Sequence, residues 1–212
     1  MSEPATTARE TYRHGDLRQA LLEAGVEMAR VGGPDAIVLR EATRQAGVSP
    51  NAAYRHFSDR QALLVAVSAT AQGLVADAMH DALLAVPASG DAEATARGRL
   101  RAVGAAYLAF AREKPGLFRA AFTVPDNLEN SGSHAKAGRA GLTPFQVLGS
   151  VLDELVDVGA VPTARRANSE LLAWSAVHGL GMLVIDGPLR GLTDAMIDGA
   201  THRLLDMVDR GL

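Results

Sequence analysis

The chain has 212 residues, enough for one large domain or for a small domain joined to a larger one. Hydrophobic residues make up 48% and charged residues 21%, the balance of a folded globular protein rather than a disordered one. There is no cysteine, which excludes structural disulfides, thiolate metal sites and a cysteine nucleophile; a net charge of −3 excludes a uniformly basic nucleic-acid coat.

Aromatics are only 4%, while Ala and Leu abound, so the chain favours packed helices over sheets. Charge is unevenly spread. Residues 1–60 hold eight Lys/Arg against eight Asp/Glu, residues 61–212 hold thirteen against sixteen, and residues 40–60 carry a local +2. A neutral-to-basic head on an acidic body suits a protein that reads DNA with its head alone. The segment Met1–Arg13 is polar and lacks the apolar stretch of a secretion signal. Leu171–Ile185, the most apolar stretch, is interrupted by His178, Gly179 and Gly181 and is short of the about 20 residues a membrane span needs. A cytoplasmic protein with no membrane partner is expected.

In chain order, Asp16 is placed as the N-cap of a helix over about 16–31, with Leu17, Ala20, Leu21, Ala24 and Met28 at helical spacing and Gly32-Gly33-Pro34 as its end. A short helix follows from Leu39 to Ala46, stopped by Gly47. Ser49 caps, and Pro50 opens, a third helix reaching about His56. Ser58 or Asp59 caps a long fourth helix from Arg60 to Ala85. After a break at 87–91, helices are expected over 93–113, a short stretch from Pro115, 144–158, 165–186 and 191–210. Residues 125–141, rich in Gly, Ser, Asn and Asp, read as a loop. No strand pattern, repeat or low-complexity tract is visible. The fold class expected is all-α: an N-terminal arm and three-helix headpiece over 1–58, then a larger helical domain over 59–212.

The informative stretch runs from Leu39 to Phe57: two short helices around a Gly-containing turn. A helix-turn-helix needs glycine where the turn goes left-handed, a small residue where the helices cross (Ala42, Ala46), and an apolar residue after the turn (Val48) to pin the second helix. That second helix then offers its outer face to a major groove about 12 Å wide.

Ala46-Gly47-Val48-Ser49, Tyr54, His56-Phe57 and Ala62-Leu63-Leu64 resemble the helix-turn-helix signature of the TetR (tetracycline repressor) family, and Tyr12-Arg13-His14-Gly15-Asp16-Leu17-Arg18 is similar to the start of many members. Trp174, Val177-His178-Gly179 and Tyr107, Phe110, Pro115-Gly116-Leu117-Phe118 resemble the C-terminal domain of one Trp-His-Gly subgroup. Val38 stands where a Ser or Thr is common, Ala42 where a larger aliphatic is usual, and Arg60 where Lys is usual. The resemblance implies a transcription regulator, by habit a repressor, that binds double-stranded operator DNA as a homodimer.

The contact residues expected are Arg40, Ser49, Pro50, Asn51, Ala52, Tyr54, Arg55, His56 and Arg60. Asn51 suits adenine, and Arg55 suits guanine or phosphate; the alternative for Arg55 is a solvated charge. Tyr54 and His56 suit phosphate, with packing the alternative for His56, and Arg40, Ser49 and Arg60 suit the DNA backbone. Arg9 and Arg13 form either an arm toward DNA or an idle tail. Phe57, Leu63 and Leu64 read as core.

One headpiece reads too few base pairs, so half-sites about 34–36 Å apart, or a multiple of that, are expected for a dimer. The helices over 165–186 and 191–210 supply its interface, as the resemblance implies. Tyr107, Phe110, Phe118, Phe122, Phe145, Trp174 and His178 gather on amphipathic faces and line either a small-molecule cavity or a filled core. A mostly apolar effector that loosens operator binding fits the first reading. A regulator controlled by a partner protein, or an activator, fits the second. Six scattered histidines lack metal spacing, no G-x-S-x-G, H-E-x-x-H or phosphate-loop pattern occurs, and neither catalysis nor a cofactor is expected.

Overall fold

The computed structural model describes residues 14–212, with side chains from Leu17 onward, and within them contains helices and no strand. Arg9, Arg13 and their proposed arm lie outside the described residues.

Helix α1 (His14–Gly32) runs from the first described residue and includes Asp16, the N-cap expected from the sequence. It stops at Gly33, whose φ of 72° only glycine adopts freely and whose N–H returns to the Ala29 carbonyl at 2.8 Å. A 3-10 turn over Pro34–Ala36 leads to α2 (Leu39–Gln45) and then α3 (Pro50–Tyr54), which is shorter than the sequence suggests. Helix α4 (Arg60–Ala85) has the expected span; its cap is Asp59, which accepts from the Ala62 N–H at 2.8 Å, not Ser58.

Leu21, Ile37, Ala42, Ala53 and Phe57 are buried together with Leu63 and Val67 from α4. Each large side chain buried this way contributes roughly 1.5–3 kcal/mol. Helices α1 and α4 approach at Gly25, where a Cβ would lie 2.7 Å from the Val67 Cγ2. The first turns of α4 thus complete the core of the headpiece while its later turns belong to the body. By length and composition α4 could cross a membrane, but half of its most apolar window is buried in this bundle.

The body comprises α5 (Ala92–Glu113), α6 (Pro115–Phe122), α7 (Pro144–Asp157), the short α8 (Thr163–Arg166), α9 (Ser169–Ile185) and α10 (Asp194–Gly211). The single helix expected over 165–186 is in fact broken by Asn168, which takes the left-handed φ of 62°. Thr143 and Gln146 form a reciprocal capping box on α7, and Thr193 caps α10. The loop over 125–141 carries two 3-10 turns, Leu128–Asn130 and His134–Lys136. It is tied internally by Lys136 to Asp126, and to α4 by Arg139, whose guanidinium meets Asp81 at 2.7 Å. Asp209, 6% exposed, joins α10 to α5 by accepting from Arg97 at 2.5 Å and Arg101 at 2.7 Å.

Candidate functional site

The turn between α2 and α3 has the geometry its residues require. Gly47 takes φ 66°, and the Val48 N–H returns to the Thr43 carbonyl at 3.0 Å. Thr43 is buried, with its hydroxyl donating to the Arg40 carbonyl at 2.6 Å. Ala42 and Ala53 are fully buried where the two helices cross, so neither tolerates a larger residue without a shift.

Ser49, Pro50, Asn51, Tyr54 and Arg55 are exposed together on and around α3, and Ala52 and His56 are half-buried beside them. Tyr54 is 57% exposed, an uncommon position for an aromatic side chain. Arg40 is exposed at the start of α2. Arg44 is held by Glu41 in a two-pronged contact at 2.9 and 2.6 Å, and this keeps the Glu41 carboxyl down at about 2. Arg60, expected at the DNA backbone, also has a structural engagement. Its guanidinium donates to the Ile37 and Pro34 carbonyls, both at 2.7 Å, so it braces α4 against the turn before α2.

In the body, a cavity of about 580 Å³ lies between α4, α5, α6, α7, α9 and α10 and the 124–136 segment. Tyr107, Phe122, Phe145, Trp174 and His178 are on its wall. Phe110 and Phe118 are not: both are buried in the packed core, Phe118 with its ring stacked on His178 at 5.6 Å. Trp174 donates its indole N–H to the Tyr107 hydroxyl at 3.0 Å, and that hydroxyl is 2.8 Å from His178 Nδ1. Burial pushes the Tyr107 hydroxyl up and the His178 imidazole down, so both are neutral at pH 7.

Polar residues that the sequence reading missed also reach the wall, among them Gln72, Arg101, Asp126 and Lys136. Gln72 was signalled by being polar within an apolar helix. Arg101 joins through pairs across the fold with Asp206 and Asp209, and Asp126 and Lys136 through a pair within the 125–141 loop, neither of which a local pattern announces.

Helix α6 links cavity and headpiece. The Ala121 carbonyl, on the cavity side, accepts from Ser68 Oγ and Gln72 Nε2 of α4, both at 2.9 Å. At its other end Gly116 rests on α1, where a Cβ would come within 2.3 Å of the Ala29 carbonyl oxygen.

A family model described as bacterial regulatory proteins of the tetR family matches residues 21–67, and one described as the tetracyclin repressor-like C-terminal domain matches residues 100–208. None of the curated proteins compared matches the chain. Among solved structures, a protein of unknown function from Rhodococcus sp. RHA1 is 26% identical, with a TM-score of 0.70 over 96% of this chain and 99% of that one. A candidate transcriptional regulator from Pseudomonas aeruginosa PAO1 shares the fold at 21% identity and a TM-score of 0.60, covering 95% and 94% of the two chains. A TetR family transcription regulator from Marinobacter aquaeolei VT8 does so at 24% and 0.53, covering 91% and 95%. With its two-helix reading head, its all-helical body and both family models matched in order, the chain belongs to the TetR family of DNA-binding transcription regulators.

Proposed function

We propose that the protein is a cytoplasmic, homodimeric repressor that leaves its operator when a small, mostly apolar molecule enters the body cavity. The observation that carries this reading is the about 580 Å³ cavity whose wall includes Gln72 and Ala121, the residues at which α6 is tied to α4. A sealed body would have favoured control by a partner protein.

The reading surface is α3 with its flanks. Asn51 and Arg55 face base edges, Tyr54, His56, Ser49 and Arg40 meet phosphates, and Pro50 and Ala52 set the depth of entry. Arg60 acts indirectly by fixing the headpiece on α4. The body–head division near Ser58 is functional rather than a break in packing, since α4 belongs to both cores. Dimerisation is supported by the exposed apolar residues of α9 and α10: Leu171, Leu172, Leu183, Met196 and Met207. Gly179 and Gly199 have open space where a Cβ would stand, which suits close helix approach.

A ligand that widens the cavity displaces α6, and α6 bears on α1 through Gly116. Moving the headpieces from 99:1 operator-competent to 1:99 requires about 5.5 kcal/mol of differential affinity. The test is fluorescence anisotropy with duplexes from the gene's own promoter region at fixed salt, comparing wild type with Tyr54→Ala plus Arg55→Ala. Sequence-specific binding lost in the double variant supports the reading surface. Binding without sequence preference, or unaltered by the substitutions, refutes it.

A further inference from the structure

The cavity described above holds one polar device that packing alone does not explain. An indole N–H only donates, so the Trp174 contact makes the Tyr107 oxygen an acceptor. The phenol then has one proton to give, and its other hydrogen-bond partner is His178 Nδ1 at 2.8 Å. The chain Trp174 → Tyr107 → His178 therefore fixes the imidazole as the neutral tautomer with its proton on Nε2. That Nε2–H makes no hydrogen bond with any described residue and is not sealed from solvent, and His178 stands on the cavity wall. Its ring cannot turn freely. Phe118 stacks against it at 5.6 Å and Phe122 meets it edge-on at 5.0 Å.

The charged groups on the same wall are spent. Arg101 is held by Asp206 and Asp209, and Lys136 by Asp126 and the Asn130 carbonyl. A charged ligand would have to break one of these pairs or stay unpaired in an apolar enclosure, and either is costly. The remaining wall is mainly aliphatic and aromatic, with Gln72, Asn127, Ser131 and Ser175 as uncharged polar members, and the rings of Phe122, Phe145 and Trp174 favour a ring-containing ligand.

We propose that the cavity takes an uncharged, ring-containing apolar molecule bearing one strong hydrogen-bond acceptor, a carbonyl or its equivalent, which accepts from His178 Nε2–H. His178 is the ligand contact and Tyr107 the positioning residue that fixes its tautomer. This rests on the reading of the cavity as an effector site and narrows its chemistry.

The test uses the full chain and three probes of matched shape: 4-butylacetophenone, its hydrocarbon analogue 1-butyl-4-isopropylbenzene, and 4-butylbenzoate. Trp174 is the only tryptophan, so its emission reports the cavity directly, with calorimetry as the second readout. The ketone is expected to bind, the carboxylate to bind far more weakly. His178→Phe is expected to weaken the ketone about two- to tenfold, the worth of one hydrogen bond, while leaving the hydrocarbon unchanged or tighter. His178→Gln, which keeps a donor near the Nε2 position, restores part of the ketone's advantage. Tyr107→Phe reduces it, because the imidazole proton is then free to sit on either nitrogen.

A carboxylate that binds more tightly than the ketone overturns the proposal. So does a ketone-to-hydrocarbon ratio equal in wild type and His178→Phe, or no binding by any of the three up to their solubility. Operator binding is measured separately. Ketone binding with the expected His178 dependence but unaltered operator affinity keeps the ligand chemistry and removes the gating role.

Discussion

Gly116→Ala tests the contact through which the body bears on the headpiece. The new Cβ would stand 2.3 Å from the Ala29 carbonyl oxygen and 2.9 Å from that of Arg30. Both are backbone atoms at the end of α1, so no flexible side chain can swing aside. Ordinary contact lies near 3.5 Å, so the start of α6 must retreat by on the order of 1 Å. Overpacking of this kind costs about 1–3 kcal/mol, and the reduced freedom of the unfolded chain returns about 0.4–1 kcal/mol of it. A net loss of about 1–2 kcal/mol lowers Tm by roughly 2–8 °C in a chain of this length. The assay is thermal melting at one fixed protein concentration, paired with operator anisotropy. Gly90→Ala serves as control, because nothing lies within 4 Å of a Cβ there. Operator affinity is expected to fall with Tm in Gly116→Ala alone. A variant that melts with wild type and binds operator as wild type does would show that α6 does not bear on α1, and the proposed route from cavity to headpiece would fail.

Three further outcomes are expected. Gly47→Ala forces a side chain into the left-handed region at φ 66° with no clash to blame, and is expected to cost about 1–2 kcal/mol of stability by thermal melting and to weaken operator binding. Asp209→Ala removes the shared acceptor of Arg97 and Arg101; since both arginines are about one-third exposed, water recovers part of the loss, and denaturant midpoints should report about 1–3 kcal/mol. Burial holds the folded-state His178 below its usual value, so the unfolded chain takes up this proton first as pH falls. Stability from this group is intact above about 6.5 and declines below it, so wild type should lose more Tm than His178→Phe between about pH 6.5 and 5 at matched ionic strength; equal losses would remove His178 as the cause.

The headpiece was legible because its signals are local. Gly47, Pro50 and Asp59 each act on the residues beside them, and the spans of α2, α3 and α4 follow within a residue or two. The break at Asn168 was not legible, since the residues around it favour helix and only tertiary packing holds one asparagine left-handed. The aromatic set was legible as a group but not by orientation. Phe118 and Phe122 share one face of α6, yet Phe118 is fully buried beneath Tyr107 and His178 while Phe122 reaches the cavity. The pairing of Tyr107 with His178 spans 71 residues and leaves no trace in spacing. The loop over 125–141 has no periodicity, so its anchoring through Lys136 and Arg139 is a product of the fold alone.

The Arg60 brace sets a geometry for whatever happens in the cavity. Its guanidinium pins the first residue of α4 to the Pro34 and Ile37 carbonyls, and Gly25 packs α1 against the next turns, so headpiece and helix turn together. Gln72 and Met79, the α4 residues on the cavity wall, lie roughly 18 and 28 Å along the helix from that pin at 1.5 Å per residue. A sideways push of about 1 Å at that depth becomes a tilt of about 2–3° over this lever arm. In the proposed dimer the two tilts would have opposite sense, so a wall movement smaller than a carbon–carbon bond would reach the DNA as a change of angle between two reading helices.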